Sequence, residues 1–304
     1  MRCNGRVANI PEADVEITHG LVASLIAEQC PEYAGLPLTP FAHGWDNASF
    51  RLGAELLVRL PRRALAVPLL VSEQRWLPVL AEGLGVPLPV PVFAGRPSPA
   101  FDRPWSVVPF LDGRTMSDVP LAARGAAAAP LGRALARLHR PAPPGAPVNP
   151  VRGGPLGARA AVTEARLAAT PGFGEAALSR WREWSAASNY PGPPLWLHGD
   201  PHPLNLLVGD DGDLAAILDW GDLTAGDPAC DLATAWLCFD APGRAAFRAA
   251  AANPHHDAAV WTRAQAWALH LAAIFVAHSD DMPQLSAIGE QARAALLSPP
   301  PVRR

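Results

Sequence analysis

The sequence predicts an α+β protein built in two parts of different character. Three observations carry this. Up to about residue 110, segments of helical apolar spacing alternate with short apolar runs of strand length. After Gly113 the pattern is mainly helical. A strand, a loop and a hairpin then interrupt those helices between residues 194 and 221. The change of character divides 1–112 from 113–304. With 304 residues, 49% of them hydrophobic and 17% charged, the chain can bury a sizeable core in one large domain or two lobes.

The elements follow in order. "ITHGLVASLIAEQCPEY" has apolar residues at helical spacing and stops at Pro31. "ASFRLG" and "ELLVRL" are two apolar-rich runs around a glycine-containing turn, hence a β-hairpin. "VPLLVSEQRWLPVLAEGL" is helical, with Val71, Trp76, Leu77 and Leu80 on one side. "VPLPVPVFAG" and "WSVVPFLDG" read as strands, the first an edge because of its prolines. Beyond Gly113, "LAARGAAAAPLGRALARLHR" is a helix interrupted at Pro130, and "PAPPGAPVNPVRGGPLG" is an irregular loop. "RAAVTEARLAAT" and "GEAALSRWREWSAAS" are helices, and "PLWLHGD" is a short strand running into a loop. "NLLVGDDGDLAAILDWG" is a hairpin around Asp-Asp-Gly-Asp. From "ACDLATAWLCF" to about Leu297 the chain is helical, with breaks near Pro254 and Asp280–Pro283, and the tail "SPPPVRR" is frayed.

Composition limits the partners. The net charge of -3 and pI near 6.3 argue against nucleic acid. Residues 1–194 carry 19 Arg against 15 acidic residues, whereas residues 195–304 carry 6 Arg against 13, so the C-terminal part is acidic enough to attract a cationic ligand. Every basic residue is Arg; chemistry usually given to Lys must fall to Arg or His. The four cysteines, Cys3, Cys30, Cys230 and Cys238, form no C-x-x-C pair and read as thiols of a reducing compartment. No signal-peptide apolar stretch opens the chain, and "AWALHLAAIFVAH" is short for a membrane span. The expectation is a cytoplasmic protein, a monomer or homodimer, with a small-molecule substrate and neither nucleic acid nor membrane as partner.

Chemistry concentrates in "HGDPHPLN" at 198–205, "ILDWGD" at 217–222 and "GDPACDLA" at 226–233. The H-x-D-x-H spacing of His198, Asp200 and His202 raises a transition-metal site, but the remaining histidines supply no companion ligand motif. The hairpin after the loop brings Asp200, Asn205 and Asp219 to one end. Asn205 and Asp219 offer the hard oxygens Mg²⁺ prefers. Asp200 is left to accept a proton from a hydroxyl.

An Asp followed five residues later by an Asn, then by a second Asp one hairpin downstream, is the layout of phosphoryl transfer. On these three motifs the chain resembles the aminoglycoside phosphotransferase family, relatives of the protein kinases, over roughly residues 35 to 275. The resemblance implies a bilobal protein-kinase-like fold: an N-lobe of antiparallel sheet with helices over 1–112, a hinge near 107–113 and a mainly helical C-lobe over 113–304. It implies ATP or GTP as donor with Mg²⁺ on Asn205 and Asp219, and Asp200 as catalytic base. His202 stands where protein kinases keep a catalytic-loop Lys and would touch the transferred phosphate, or is an ordinary loop residue. Arg59, in "ELLVRLPRR", stands at the phosphate-binding Lys of the family, with Glu73 as partner; Arg62 or Arg63 is the alternative. Gly44 and Asn47 of "HGWDNASF" form the candidate phosphate loop, which an ordinary hairpin turn would also explain. Phe110 is the apolar contact for the base. His198 supports the loop backbone, Asp227 pairs with backbone or Arg, Asp231 caps the helix that starts there, and Asp222 is left open.

The implied acceptor is an antibiotic hydroxyl, an aminoglycoside or related cationic compound in the first instance. Glu164, Glu183, Asp240 and Asp257 are the acidic candidates for its pocket; Trp181, Trp184, Trp236, Trp261 and Trp267 are the aromatic ones. A macrolide or small-metabolite kinase of the same fold, and a non-catalytic nucleotide-binding module suggested by the Arg59 departure, are the alternatives.

Overall fold

A computed structural model of the chain describes residues 11–279 and 282–298; Cys3, Asp280, Asp281 and the end of the tail lie outside them. Two compact units emerge: Met1–Asp112 with Asp219–Gly221, and Gly113–Leu218 with Asp222–Arg304.

In the first unit the order is α1 (His19–Gln29), β1 (Leu38–His43), β2 (Asn47–Leu52), β3 (Leu56–Pro61), α2 (Val67–Ala81), β4 (Phe93–Gly95) and β5 (Trp105–Pro109). Thr18 caps α1, its hydroxyl accepting the Leu21 N–H. The strands form one antiparallel sheet in the order β1-β2-β3-β5-β4. The β2–β3 hairpin sets Ser49 opposite Arg59 and Phe50 opposite Val58. Ala48, Phe50 and Leu52 alternate inward on β2 and join Val58, Leu60, Trp105 and Val107 in a core that also takes Val22, Leu25 and Ile26 of α1. Strand β1 was not anticipated. Pro40 breaks its pattern, yet the strand lies at the sheet edge with a bulge after Pro40, where a missing N–H costs least. The stripe expected on α2 also shifts. Leu70, Glu73, Leu77 and Leu80 are buried, Trp76 is half-buried and Val71 is exposed. A charged residue completes the buried face, which hydrophobic spacing alone does not reveal.

The second unit runs β6 (Arg114–Thr115), α3 (Ala128–Leu138), α4 (Ala160–Ala169), α5 (Gly174–Ser185), β7 (Leu195–Leu197), β8 (Leu206–Val208), β9 (Leu214–Ile217), β10 (Thr224–Gly226), α6 (Ala229–Leu232), α7 (Thr234–Cys238), α8 (Ala241–Ala250), α9 (Val260–Ala277) and α10 (Pro283–Leu297). Pro130 does not interrupt α3. It falls in the first turn, where N–H groups have no intrahelical partner to lose. Helix α9 is the central rod, with Trp267, Ala268, Leu269 and Ala272 wholly or almost wholly buried and α4, α5, α6 and α10 packed around it. Among the described residues no helix is long and apolar enough to cross a membrane. Cys30, Cys230 and Cys238 are free thiols, all buried.

Two polar residues, Arg263 and His270, are buried on this rod, and His270 is the titratable imidazole. His270 is 4% exposed, with Nδ1 2.8 Å from Thr163 Oγ1 and its ring against Trp267. Burial, then the charges of Arg159, Arg166 and Arg152, push its pKa down to about 3. The native imidazole is therefore neutral where the unfolded one takes up a proton, and the stability that depends on it is lost as pH falls below about 6.5. Between pH 7 and pH 5 this group alone should remove about 2 kcal/mol. Chemical denaturation at the two pH values should show a slope that flattens by that amount in His270→Gln; an equal slope in both proteins refutes the assignment.

Candidate functional site

The site begins at the end of β7, whose Leu195 and Leu197 pair with Gly226 and Thr224 of β10. The chain then turns sharply. Gly199 adopts φ +92°, and a Cβ there would lie 2.2 Å from the Asp222 carbonyl oxygen, so only glycine fits. The fully buried Asp231 holds the turn. Its Oδ2 accepts the His198 N–H and its Oδ1 the Gly199 N–H, both at 2.8 Å. Asp231 thus lies inside α6 and does not cap it; the N-cap position is Pro228. His139 Nε2 lies 3.2 Å from Asp231 Oδ2, and His139 Nδ1 lies 3.0 Å from His256 Nε2. Because the carboxylate only accepts, Nε2–H of His139 donates to it, and His256 donates to His139 in turn. Burial and the neighbouring His139 push His256 down to about 3, which keeps the His256 ring neutral.

Both histidines of the H-x-D-x-H string are engaged. His198 Nε2 donates to the Leu218 carbonyl at 2.8 Å, and its Nδ1 accepts the Asp200 N–H. His202 Nδ1 accepts the Leu204 N–H, which leaves Nε2 as the protonated nitrogen, 3.3 Å from Asp200 Oδ2. Its ring meets Phe275 edge-on. Among the described residues no group of three or more His, Cys, Asp or Glu could hold a metal ion. Asn205 donates from Nδ2 to the Asp200 backbone carbonyl at 3.0 Å, and the Asn205 backbone carbonyl accepts the Leu218 N–H at 2.8 Å. Asp219, the next residue along, is exposed and is the one non-glycine residue with positive φ among those described, at +53°. Asp tolerates that conformation at modest strain, a feature that gathers at functional sites.

The carboxylate of Asp200 is flanked by two cationic or hydrogen-donating groups. Arg152 Nη2 stands 3.1 Å from Oδ1, and His202 Nε2 stands near Oδ2. Burial opposes ionisation of Asp200, but Arg152 and His202 outweigh it and hold the carboxyl well below the usual range. Arg152 also reaches Asp222, Nε to Oδ2 at 3.2 Å, and Asn149 Nδ2 donates to Asp222 Oδ1 at 2.7 Å. Neither Arg152 nor Asn149 was singled out from the sequence. They sit in the Pro/Gly-rich stretch before α4, which carries no local signal of a site. Its one clue is Gly153, whose φ of +65° and contact with Gly226 bring the loop against β10.

In the first unit, Arg59 of β3 binds Glu73 of α2 with both guanidinium ends, Nη1 to Oε2 at 2.6 Å and Nη2 to Oε1 at 3.4 Å. Burial works against the Arg59 charge, but the carboxylates of Glu73 and Asp219 raise its pKa further. Arg62 and Arg63 are engaged elsewhere. Arg62 donates to the Gly44 carbonyl, and Arg63 pairs with Asp46. In the β1–β2 turn the Gly44 N–H goes to the Asn47 carbonyl, while Asn47 Oδ1 is buried without a hydrogen-bond partner. The Phe110 N–H is taken by the Glu55 carbonyl, and its ring lies between Phe41 and the Arg51 guanidinium, 3.2 Å from the ring centre.

The acidic residues expected to line an acceptor pocket all have partners, Glu164 and Glu183 in exposed ion pairs. Glu164 pairs with Arg182, Glu183 with Arg180, and Asp257 with Arg263; Asp240 caps α8. Asp227 is likewise bound to Arg263, Oδ2 to Nε at 2.6 Å. Trp181 and Trp267 are fully buried and Trp184 nearly so; Trp236 and Trp261 are partly exposed.

The chain belongs to the phosphotransferase enzyme family, whose model matches residues 37–267. The structure of the GDP and kanamycin complex of APH(2")-IIia superposes with a TM-score of 0.65 at 17% identity, covering 90% of this chain and 97% of that one. Macrolide 2'-phosphotransferase MphH from Brachybacterium faecium, as apoenzyme, gives a TM-score of 0.57 at 23% identity, with 93% and 99% covered. At these identities the likeness establishes the α+β, protein-kinase-like fold. Over 53 residues the chain is 38% identical to Uncharacterized protein YcbJ of Bacillus subtilis (strain 168), a match spanning 17% of this chain and 17% of that relative.

The role of Asp231 is open to direct test. An amide in its place keeps one acceptor oxygen where three donors converge, so a buried N–H is stranded. Asp231→Asn should lower unfolding free energy by roughly 2–3 kcal/mol in urea titration. A change below about 0.5 kcal/mol would show that the loop does not depend on this carboxylate.

Proposed function

We propose that this protein transfers the γ-phosphoryl group of ATP or GTP to a hydroxyl of a small-molecule antibiotic, an aminoglycoside or related cationic compound. The observation that carries the reading is the Asp200 carboxylate, kept ionised on a loop pinned by Asp231, in a chain of the phosphotransferase enzyme family. Resemblance to a solved complex holding GDP and kanamycin supports both the nucleotide and the acceptor class.

The donor set suits Mg²⁺. Asn205 spends its amide nitrogen on the Asp200 carbonyl and keeps its oxygen as acceptor, and Asp219 is an exposed carboxylate. In this reading Asn205 and Asp219 hold the ion. When bound, Mg²⁺ supplies neutralisation of phosphate charge. The chain's own residues do the rest. Asp200 orients the acceptor hydroxyl and takes its proton; its low basicity suits a loose transition state, in which the hydroxyl loses its proton late. His202, through Nε2–H, steadies Asp200. Arg59, oriented by Glu73, offsets phosphate charge, with the planar fork of a guanidinium in place of an ammonium. Gly44 and Asn47 border the phosphates and Phe110 the base.

A second reading, a macrolide acceptor, draws on one cavity. It has a volume of about 640 Å³ and lies among α4, α9 and α10. Val162, Ala165, Ala169, Pro171, Val276 and Ala277 line it, together with the polar Thr170 and His278 and the charged Arg166 and Glu290. Its single carboxylate, offset by Arg166, suits a largely apolar ligand better than a polycation.

The test is Mg²⁺-dependent release of ADP or GDP across aminoglycosides, macrolides, tuberactinomycin-type peptides and small alcohols. One class should stimulate release. Asp200→Asn should cut that release by roughly 10²- to 10⁴-fold while nucleotide affinity stays within about twofold. Full turnover in Asp200→Asn rules out the base assignment. Nucleotide binding without stimulated release by any acceptor would favour a non-catalytic nucleotide-binding module.

A further inference from the structure

Resting on that phosphotransfer reading, we propose that Arg152 is the positioning residue of Asp200. It clamps Oδ1 and leaves Oδ2 as the oxygen that receives the acceptor proton.

Four observations converge on this. Asp200 Oδ1 is sealed from solvent and has no hydrogen-bond partner; its close neighbour is Arg152 Nη2 at 3.1 Å. The 19% exposure of the Asp200 side chain therefore lies elsewhere than on Oδ1. The guanidinium is paired on its other side too: Nε stands at ion-pair distance, 3.2 Å, from Asp222 Oδ2, although that buried N–H, like Asp200 Oδ1, makes no well-aligned hydrogen bond. Asp222 is fixed in turn by Asn149 Nδ2, and the Asn149 N–H donates to Thr224 Oγ1 of β10. Finally, the loop carrying Arg152 is pressed onto β10 at a point that admits no side chain. A Cβ on Gly226 would lie 2.4 Å from the Gly153 carbonyl oxygen, and the Asp227 N–H donates to that same carbonyl. Arg152 is thus delivered by a rigid support next to the reacting carboxylate, and the chain Thr224–Asn149–Asp222–Arg152–Asp200 runs from a strand to the base.

The consequence for the reaction is specific. The acceptor hydroxyl oxygen bonds to the γ-phosphorus and the bond from that phosphorus to the β-bridging oxygen breaks. The hydroxyl proton passes to Asp200 Oδ2, beside His202 Nε2. Arg152 touches neither substrate. It acts by holding the carboxylate plane, and misplacement of a reacting group by about 1 Å can cost on the order of 10²-fold in rate.

The test uses the full chain with Arg152→Ala, Arg152→Lys, Asp200→Asn and the Arg152→Ala/Asp200→Asn double variant. Acceptor-dependent ADP release should fall by roughly 10- to 100-fold in kcat for Arg152→Ala, with nucleotide KM within about twofold. Added guanidinium ion should restore part of the loss. In the Asp200→Asn background the same substitution should cost less than about twofold, because its effect runs through Asp200. Unchanged kcat, or an equal loss in both backgrounds, overturns the proposal. A crystal structure of Arg152→Ala supplies a readout independent of turnover: Asp200 should change rotamer in an otherwise intact fold. An unmoved Asp200 carboxylate refutes the positioning role even if no acceptor is found. Absence of stimulated release in the wild-type protein counts instead against the phosphotransfer reading.

Discussion

Asp231 accepts three hydrogen bonds on two oxygens in a place that no water reaches: the backbone N–H groups of His198 and Gly199, and the ring of His139. A buried carboxylate left unpaired is expensive, so the three donors and the acceptor enforce one another. The turn at His198 and Gly199 cannot relax without exposing that charge. Everything downstream inherits its position from this turn. The His198 ring reaches Leu218 and Asn205 closes onto Asp200 because the strand before them ends where Asp231 sets it.

Around that anchor the second unit arranges charge in alternation. Asp222, Arg152 and Asp200 follow one another at ion-pair distance, and His202 Nε2 closes the series beside Asp200 Oδ2. Each carboxylate meets a donor and the guanidinium meets two carboxylates, so no like charges are forced together. The first unit solves its own problem differently. It buries one Arg–Glu pair, whose geometry uses both ends of the guanidinium. Arg cannot deprotonate in a protein, and its fork fits a carboxylate better than a single ammonium does. A chain without lysine can therefore keep a fixed cation at this point of the sheet.

Much of the fold was legible in the sequence. The β2–β3 and β8–β9 hairpins follow from apolar runs around turn residues, and the helices after Gly113 from their spacing. What escaped depended on contacts between residues far apart in the chain. Strand β1 hides behind Pro40, which only an edge position excuses. The buried face of α2 includes Glu73, which a hydrophobic pattern discounts until its partner Arg59 is known. The HGDPHPLN string announced chemistry because its residues are neighbours in sequence. Arg152 lies 48 positions before Asp200 in a loop of prolines and glycines, so its proximity could not be read locally. Asp231 looked like a helix cap because it opens a helical run. Its carboxylate turns instead to a loop over 30 residues away, since two bare N–H groups there need it more. The acidic balance of residues 195–304 suggested carboxylates free for a cation, whereas a helix cap and an ion pair engage its two pocket candidates, Asp240 and Asp257.

Residues Asp219–Gly221 pack with the first unit although both their flanks belong to the second. The Trp220 N–H reaches Glu73, and Gly221 lies against Leu69. The two units are therefore not separable by one cut. A polypeptide ending at Asp112 would lack three residues that its own packing expects, including a hydrogen-bond donor for the carboxylate that orients Arg59. Dissection after Asp112, whether by a protease or by recombination of gene segments, would leave the first piece short of those three residues. Shuffling between relatives would have to carry Asp219–Gly221 together with the first 112 residues to keep that unit whole.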